Sequence, residues 1–316
     1  MSARLIPLVT LLALTACSYD FERSSEVIDR RILAIQVDPP ELAGGTALPD
    51  SVKARALVVD PANPLGAAEV TWSACFLPAL SNGNDGDAQN KRCPDEDSTV
   101  RLPVGSTPLS AVGLTLPVPP DVVSLLGSGT DIPSAQIQME LSVSSDQGEL
   151  VAVKEVAVTP VLPEGQEPNR NPVVKGLTLD GTDWLPDTPR TITYGDCPDE
   201  KKKEVEAKDK SLVRVCEHPI EPLFDESESQ YYNDRGFSGE TELQKERLRF
   251  AWFTDVGSWK QDVTRQYDPR DPSPDNVGPK SFWREPPEKT ERATIWVVIR
   301  DGRGGTNWER REVIFQ

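Results

Sequence analysis

Short segments in which apolar and polar residues alternate constrain the fold of this chain most strongly. The clearest is 137–143 (IQMELSV), where every second residue is apolar, as a half-buried β-strand requires. Similar segments lie at 33–37, 52–58 and 70–74, and Pro, Asp or Cys follows each of them. The 316 residues include 29 prolines and 21 glycines, and long amphipathic helical patterns are scarce. The sequence therefore predicts an all-β fold of many short strands joined by turns.

One later segment departs from simple alternation. Val151 and Val153 have one phase, whereas Val156 and Val158 have the other. An extra residue in one strand of an antiparallel pair produces such a change of phase. We therefore expect a β-bulge near residues 154–155.

The N-terminus has the three parts of a secretory signal peptide. Arg4 precedes the apolar run 5–14 (LIPLVTLLAL), and two small residues follow it. This run is shorter than the roughly 20 residues that a membrane span needs. The sequence 14–17 (LTAC) resembles the lipobox of bacterial lipoproteins, which implies cleavage before Cys17 and acylation of that residue. The alternative is an ordinary secreted protein with an unmodified Cys17. Ser18 is compatible with sorting to the outer membrane.

The other four cysteines, in an exported chain, predict disulfides. They are Cys75, Cys93, Cys197 and Cys216, and four cysteines allow three connectivities. The economical choice is local pairing, Cys75–Cys93 and Cys197–Cys216, with each bridge stabilising the fold by roughly 3 kcal/mol. Zinc binding is the competing interpretation, but the spacings lack any CxxC pair. We therefore predict no metal site and no cofactor.

The charge balance limits the possible partners. The chain has 51 acidic and 34 basic residues, a net charge of −17. Nucleic acid and anionic lipid headgroups should repel such a surface. We therefore expect no nucleic-acid partner, and we expect a lipid anchor at Cys17, rather than surface charge, to hold the protein at a membrane.

Composition changes divide the chain into five parts. The clearest boundary is rich in Pro, Glu and Asn and has the composition of a linker. The predicted parts are a signal peptide at 1–16, a lipidated Cys and tether at 17–30, a first β-sandwich at 31–160, a linker at 161–172, and a second β-sandwich at 173–316 with an insertion at about 184–246.

The two halves share an order of features, which suggests an internal repeat. Each has a strand that carries a Trp, Trp72 or Trp252, and each ends in a hairpin that turns on Asp and Gly. This arrangement resembles tandem immunoglobulin-like (Ig-like) β-sandwiches of the bacterial Ig or PKD type. The quoted segments RILAIQVDPPELAGG, VTWSAC, LRFAWFTDVG and IWVVIRDGRGG also resemble uncharacterised lipoproteins of myxobacteria and their relatives. The resemblance implies a cell-envelope protein and brings no known activity.

Motifs for catalysis are absent from the sequence. His218 is the only histidine, and no Ser-His-Asp, HExxH, GxSxG or phosphate-loop pattern occurs. With 51 acidic residues, a pair of neighbouring carboxylates is always available, so a carboxylate-dependent hydrolase of envelope polysaccharide remains the alternative function. A calcium site between the two halves is a further hypothesis, and it requires carboxylates of the linker to converge with an adjacent turn.

The strongest binding candidates lie between residues 255 and 292, where aromatic and Arg side chains are interspersed. Such side chains are enriched at interaction hot spots, although they equally suit a sandwich core. The candidates are Trp259, Tyr267, Phe282, Trp283, Arg265 and Arg270. We therefore expect a non-enzymatic, lipid-anchored envelope protein that binds a protein or glycan partner or has a structural role.

Overall fold

The computed structural model describes residues 24–44, 48–78, 100–118, 135–145, 148–159, 162, 164–207, 209–235, 241–274 and 276–316. The predicted signal peptide at 1–16 lies outside them. The regular structure of the described residues consists of 21 β-strands in five sheets and three single-turn 3-10 helices at Leu109–Ala111, Asp199–Lys201 and Glu226–Glu228. The fold is therefore all-β, as the alternating pattern predicts. Among the described residues, no helix has the length and apolar character needed to cross a membrane.

The N-terminal half forms a sandwich of two sheets. Its strands are β1 (Arg31–Asp38), β2 (Glu41–Ala43), β3 (Ser51–Val59), β4 (Ala67–Pro78), β5 (Val100–Pro108), β6 (Gly113–Pro117), β7 (Ala135–Ser145) and β8 (Gly148–Thr159). One sheet has the order β1-β3-β6 and the other has the order β2-β8-β7-β4-β5. Inward-facing residues of both sheets share one apolar core around Trp72 and Met139, both fully buried.

The C-terminal half forms a second sandwich with its own core. Its strands are β9 (Gly176–Leu179), β10 (Thr182–Trp184), β11 (Arg190–Ile192), β12 (Lys202–Glu206), β13 (Leu212–Leu223), β14 (Tyr231–Arg235), β15 (Thr241–Lys245), β16 (Arg249–Thr254), β17 (Ser258–Trp259), β18 (Val263–Arg265), β19 (Ser281–Arg284), β20 (Arg292–Arg300) and β21 (Thr306–Phe315). One sheet has the order β10-β9-β13-β19-β17, with β12 paired to β13, and the other has the order β11-β21-β20-β16-β18. Four tryptophans, Trp184, Trp252, Trp259 and Trp283, lie in its core.

The two five-stranded sheets have the same topology. In each, a short edge strand runs parallel to the last strand of the half, β2 to β8 and β11 to β21. The last strand forms a hairpin with the strand before it, which pairs with the strand that carries the Trp. Trp72 and Trp252 therefore occupy equivalent positions in the two sheets, in agreement with the internal repeat predicted from the sequence.

The pairing of β7 with β8 shows that the predicted bulge is wrong. The register runs without a shift from Ala135 opposite Val158 to Ser145 opposite Gly148. Val156 and Val158 face the core, whereas Val151 and Val153 are 44% and 49% exposed on the outer face. These two valines were misleading because β-branched residues are also common on the solvent face of a strand.

The insertion predicted at about 184–246 includes parts of the core. Trp184 is 1% exposed, and Ile220, on the long strand β13, is fully buried. Two prolines in β13, Pro219 and Pro222, made this segment resemble a loop, because Pro is rare inside strands. The segments that extend from the sandwich are β12 and the two-stranded β14–β15 hairpin.

A third apolar cluster joins the two sandwiches. The outer faces of β1 and β3 contribute Leu33 and Val59, and the outer face of β20 contributes Trp296 and Val298. Polar contacts surround this cluster, including a 2.6 Å hydrogen bond from Gln36 Nε2 to the carbonyl of Thr306. We call this contact region the junction.

The end of the predicted tether is part of the junction. Val27 is fully buried in the third cluster, and its amide donates to the carbonyl of Thr254 at 2.8 Å. Arg30 forms an ion pair with Asp60 at 2.9 Å. Residues 24–30 therefore pack against both sandwiches, and the prediction of a free tether is wrong for them. Their polar composition concealed the single buried valine.

Candidate binding surface and buried polar centres

One face of the β14–β15 hairpin carries two exposed apolar side chains, Tyr231 and Leu243. Tyr231 lies opposite Lys245 and Asn233 lies opposite Leu243, and residues opposite each other project from the same face of a hairpin. Tyr231 is 59% exposed and Leu243 is 68% exposed. We call these four residues the hairpin face. Large apolar side chains clustered at a surface are typical of interaction sites.

The opposite face of the hairpin packs onto the junction. The guanidinium of Arg303 lies 5.0 Å from the ring centroid of Tyr232, a cation–π distance. At the base of the hairpin, the amide of Glu246 donates to the carbonyl of Gln230 at 2.9 Å, and the amide of Gln230 donates to the Glu246 carboxylate at 2.9 Å. These contacts fix the orientation of the hairpin relative to both sandwiches.

A polar groove of about 490 Å³ borders the hairpin face. It lies between the base of the hairpin and the linker, and its lining includes Glu167, Arg170, Glu226, Tyr231 and Lys245. Arg170 ties the linker to this region, because its amide donates to Gln230 Oε1 at 3.0 Å. The groove and the hairpin face form one continuous surface through Tyr231 and Lys245.

Two buried carboxylates share one arginine beneath this surface. Arg303 donates to Glu41 Oε2 at 3.2 Å and to Glu246 Oε1 at 3.0 Å. Burial raises the pKa of Glu246 and also the pKa of Asp301, whose Oδ1 accepts hydrogen bonds from the amides of Arg303 and Gly305. These acidic groups thus hold the junction together.

Two asparagines of the linker contact the region around Glu41, Arg303 and Glu246. The backbone amide of Asn169 donates to Glu41 Oε2 at 2.7 Å. The Asn171 side chain donates to the Val37 carbonyl at 2.8 Å and accepts from the Thr306 amide at 2.9 Å. The calcium hypothesis, which requires linker carboxylates to converge with an adjacent turn, is not tested by these contacts and stays a prediction.

The six predicted binding residues are divided between core and surface. Trp259 and Trp283 face each other across β17 and β19 and are 2% and 0% exposed, so their assignment to a partner surface is wrong. The residues of 281–284 alternate between buried and half-buried positions, and Trp283 has the inward phase. Phe282 has the outward phase and lies under Lys260, whose Nζ is 4.8 Å from the ring centroid.

The other three candidates are exposed. Arg265 ends β18, and Tyr267 and Arg270 lie in the loop after it, where Tyr267 is 60% exposed. The pKa of Arg270 is raised mainly by the hydrogen bond and charge of Asp268, with a smaller contribution from Tyr231 on the hairpin face. The structure thus brings part of the predicted set together with residues that the sequence did not single out.

The Cys197–Cys216 disulfide is present, as predicted. Cys75 is also disulfide-bonded, but its predicted partner, Cys93, lies outside the described residues, as does the predicted lipidation site, Cys17. The Cys197–Cys216 bridge connects the segment before β12 to the middle of β13, and Cys216 is fully buried.

Beside this disulfide, His218 lies between two carboxylates. Its Nδ1 is 2.7 Å from Asp180 Oδ2, and its Nε2 is 3.3 Å from Glu285 Oε1. Burial acts to lower the pKa of His218, but the hydrogen bonds and charges of Asp180 and Glu285 outweigh it and raise the pKa to about 9. His218 is therefore a buried cation at neutral pH. Lys201 supplies a second positive charge, because its Nζ lies 2.9 Å from Asp180 Oδ1.

The sequence contained a signal for some of the residues that were missed. Asp180-Gly181 is a two-residue turn between β9 and β10, with both residues at positive φ, and Asp-Gly is a strong hairpin signal. The segments 231–235 (YYNDR) and 241–245 (TELQK) lack the alternation of a half-buried strand, so the hairpin face carried no such signal. Glu285 carried no signal, because only the fold brings it to His218.

Two pairs of sheets packed face to face, each with a buried Trp on an inner strand, define an immunoglobulin- or fibronectin-like β-sandwich fold. No protein-family model matches the chain, and no curated protein sequence matches it. Among solved structures, dimeric latent PorU from Porphyromonas gingivalis is 11% identical, with 91% of this chain and 24% of PorU covered and a TM-score of 0.22. The chain thus spans about a quarter of that protein.

Two further solved structures match this chain over almost their whole length. The fibronectin(III)-like modules of CbhA from Clostridium thermocellum are 11% identical, with 90% of this chain and 94% of that chain covered and a TM-score of 0.20. Murine CEACAM1b is 14% identical, with 90% of this chain and 99% of that chain covered and a TM-score of 0.19.

Proposed function

We propose that this protein is a non-enzymatic, lipid-anchored protein of the bacterial cell envelope that binds a protein or glycan partner through the hairpin face. The observation that carries the proposal is the exposure of Tyr231 and Leu243 on a hairpin whose other face is fixed to the junction. A rigid aromatic surface loses little conformational entropy on binding. Tyr is also among the residues enriched at binding hot spots.

The proposed location rests on the N-terminal sequence. Residues 14–17 (LTAC), at the end of the apolar run 5–14, resemble a lipobox, and two or more acyl chains anchor a protein stably to a bilayer. Ser18 is compatible with sorting to the outer membrane. The resemblance to lipoproteins of myxobacteria and their relatives supports the same location. A net charge of −17 disfavours direct adsorption to anionic lipids.

The anchor is tested by mass spectrometry of the mature protein purified from membranes. The expected N-terminal peptide begins at Cys17 and carries the mass of a diacylglyceryl group and one further acyl chain. The Cys17→Ser variant should remain uncleaved and lose this mass. An unmodified Cys17 in the wild-type protein would refute the lipid anchor, whatever the fate of the binding proposal.

The binding surface is tested by site-specific photo-crosslinking in intact envelopes. A photoreactive amino acid at position 243 should give a discrete adduct, whereas the same group at position 65 serves as a control, because Leu65 is 95% exposed but lies in the distant β3–β4 turn. Excess unlipidated protein should abolish the adduct, and the Tyr231→Ser/Leu243→Ser variant should not. Equal adducts at both positions, or none at 243, would contradict the proposal.

A further inference from the structure

The centre around His218 contains the donor atoms of a metal site. Among the His, Cys, Asp and Glu side chains of the described residues, Cys216, His218 and Glu285 form a group in which one donor atom from each lies within 4.8 Å of the others. All three are buried, and Cys197 is covalently attached to the group through its disulfide. Two sulfurs, an imidazole nitrogen and a carboxylate oxygen are a ligand set that suits Zn²⁺.

We propose that reduction of the Cys197–Cys216 disulfide converts this centre into a zinc site, with both thiolates, His218 Nε2 and Glu285 Oε1 as the four ligands. In the oxidised protein the sulfurs are bonded to each other, and the thiolate is the form of cysteine that binds metals. The disulfide is thus the closed state of the site, and the dithiol is its metal-binding state.

The distance between the two non-sulfur ligands fits tetrahedral zinc. His218 Nε2 and Glu285 Oε1 are 3.3 Å apart. Two ligand atoms that each lie about 2 Å from a tetrahedral Zn²⁺ are separated by about 3.3 Å. A zinc ion can therefore bind between these atoms without a large movement of either side chain.

The groups around the ligands hold them in position for the metal. Asp180 Oδ2 accepts from His218 Nδ1 at 2.7 Å, which leaves Nε2 as the ligand atom, and a carboxylate behind a zinc-bound His is a common arrangement. Glu285 Oε2 accepts from the amides of Gly195 and Cys216 at 3.0 and 3.4 Å, so that Oε1 faces His218. Both carboxylates already have the orientation that a zinc site requires.

The conversion balances in electrons and protons. A dithiol reductant transfers two electrons and two protons to the disulfide and itself becomes a disulfide, leaving thiols at Cys197 and Cys216. Zinc binding then releases the two thiol protons, because the thiolate is the form of cysteine that binds the metal.

The proposal is tested with the purified full-length protein and Co²⁺ as a spectroscopic substitute for Zn²⁺. The protein is reduced with dithiothreitol, desalted under argon and titrated with Co²⁺. We expect one Co²⁺ per chain, with a thiolate-to-cobalt charge-transfer band and tetrahedral d–d bands that added Zn²⁺ abolishes. The oxidised protein should show neither band. The absence of these bands from the reduced protein, or their presence in the oxidised protein, would overturn the proposal.

Variants assign the ligands and exclude the other cysteines. His218→Gln and Glu285→Gln should each weaken binding more than about tenfold, since even outer-shell changes cost 10- to 100-fold in metal affinity. The matched control is Cys75→Ser/Cys93→Ser, which removes two cysteines that are not among the proposed ligands and should keep both bands. Bands that vanish in this control, or that persist unchanged in His218→Gln, would show that the metal binds elsewhere.

Discussion

Replacing Arg303 with Ala should destabilise the junction by removing the only group that donates to both Glu41 and Glu246 among the described residues. The side chains of the two carboxylates are 6% and 1% exposed. After the substitution, each would keep a buried negative charge without an ionic partner. Stability should therefore fall even though Arg303 lies outside both apolar cores.

The size of the loss follows from the contacts. Breaking a buried ion pair by removing one partner costs about 3–5 kcal/mol, because the remaining charge is uncompensated. Glu41 keeps its 2.6 Å hydrogen bond from Thr159 and Glu246 keeps the Gln230 amide, which favours the lower part of this range. The lost cation–π contact with Tyr232 adds about 1 kcal/mol. We expect a total loss of about 4 kcal/mol.

Urea denaturation followed by tryptophan fluorescence measures the change in the free energy of unfolding. The matched control is Arg310→Ala, because Arg310 is 52% exposed and pairs with Glu312 at the surface, where a pair contributes about 0–1 kcal/mol. Adding Glu246→Gln to Arg303→Ala should restore part of the stability, because a neutral amide replaces one uncompensated charge.

The same argument predicts a dependence on pH. Burial raises the pKa of Glu246, and loss of Arg303 removes a charge that lowers it. Protonation of Glu246 in the variant should therefore reduce the difference from the wild type as the pH falls. A loss below about 1 kcal/mol at neutral pH, or a loss equal to that of Arg310→Ala, would refute the argument that Arg303 compensates buried charge.

Three further predictions concern the C-terminal sandwich. The stabilisation by protonated His218 should be complete below pH 6.5 and lost as the pH rises through about 9. Urea midpoints should therefore fall across this range in the wild type and change less in His218→Gln; parallel pH curves for the two proteins would contradict this prediction. The Cys197→Ala/Cys216→Ala variant should lose about 3 kcal/mol, since the disulfide closes a loop of 19 residues; an unchanged melting temperature would count against it. Gly257→Ala should lower the free energy of unfolding by more than about 1 kcal/mol, because φ of Gly257 is +83° and an added Cβ would collide with the Arg284 carbonyl. A variant as stable as the wild type in calorimetry would contradict this prediction.

The strands were predictable because their pattern is local. Inward-facing residues of β7 recur at every second position, and a Trp with the same phase marks an inner strand in each half. Failures occurred where the local pattern was ambiguous. In β8, valines occupy both faces, and in β13, Pro219 and Pro222 interrupt a strand whose core contacts are nonlocal.

The candidate sites were less predictable than the strands. Aromatic and Arg residues between 255 and 292 were chosen by composition, and composition does not distinguish Trp283 in the core from Tyr267 at the surface. The alternation in 281–284 predicts that two of its residues face the core, but the phase of that alternation depends on which face of β19 packs on the opposite sheet. The hairpin face was missed because nothing in its sequence shows that it lies on the junction.

The sequence by itself determined the all-β class, the positions of long core strands such as β1, β3, β4 and β7, the equivalence of Trp72 and Trp252, and the local Cys197–Cys216 pairing. These features depend on alternation with period two, on turn residues and on short separations along the chain. Only the tertiary structure decided that Glu41 and Arg303, 262 residues apart, share a buried ion pair, and that His218 lies between Asp180 and Glu285. Such contacts depend on how whole sheets pack, and burial away from water gives these charges an energetic importance that they lack in an extended chain.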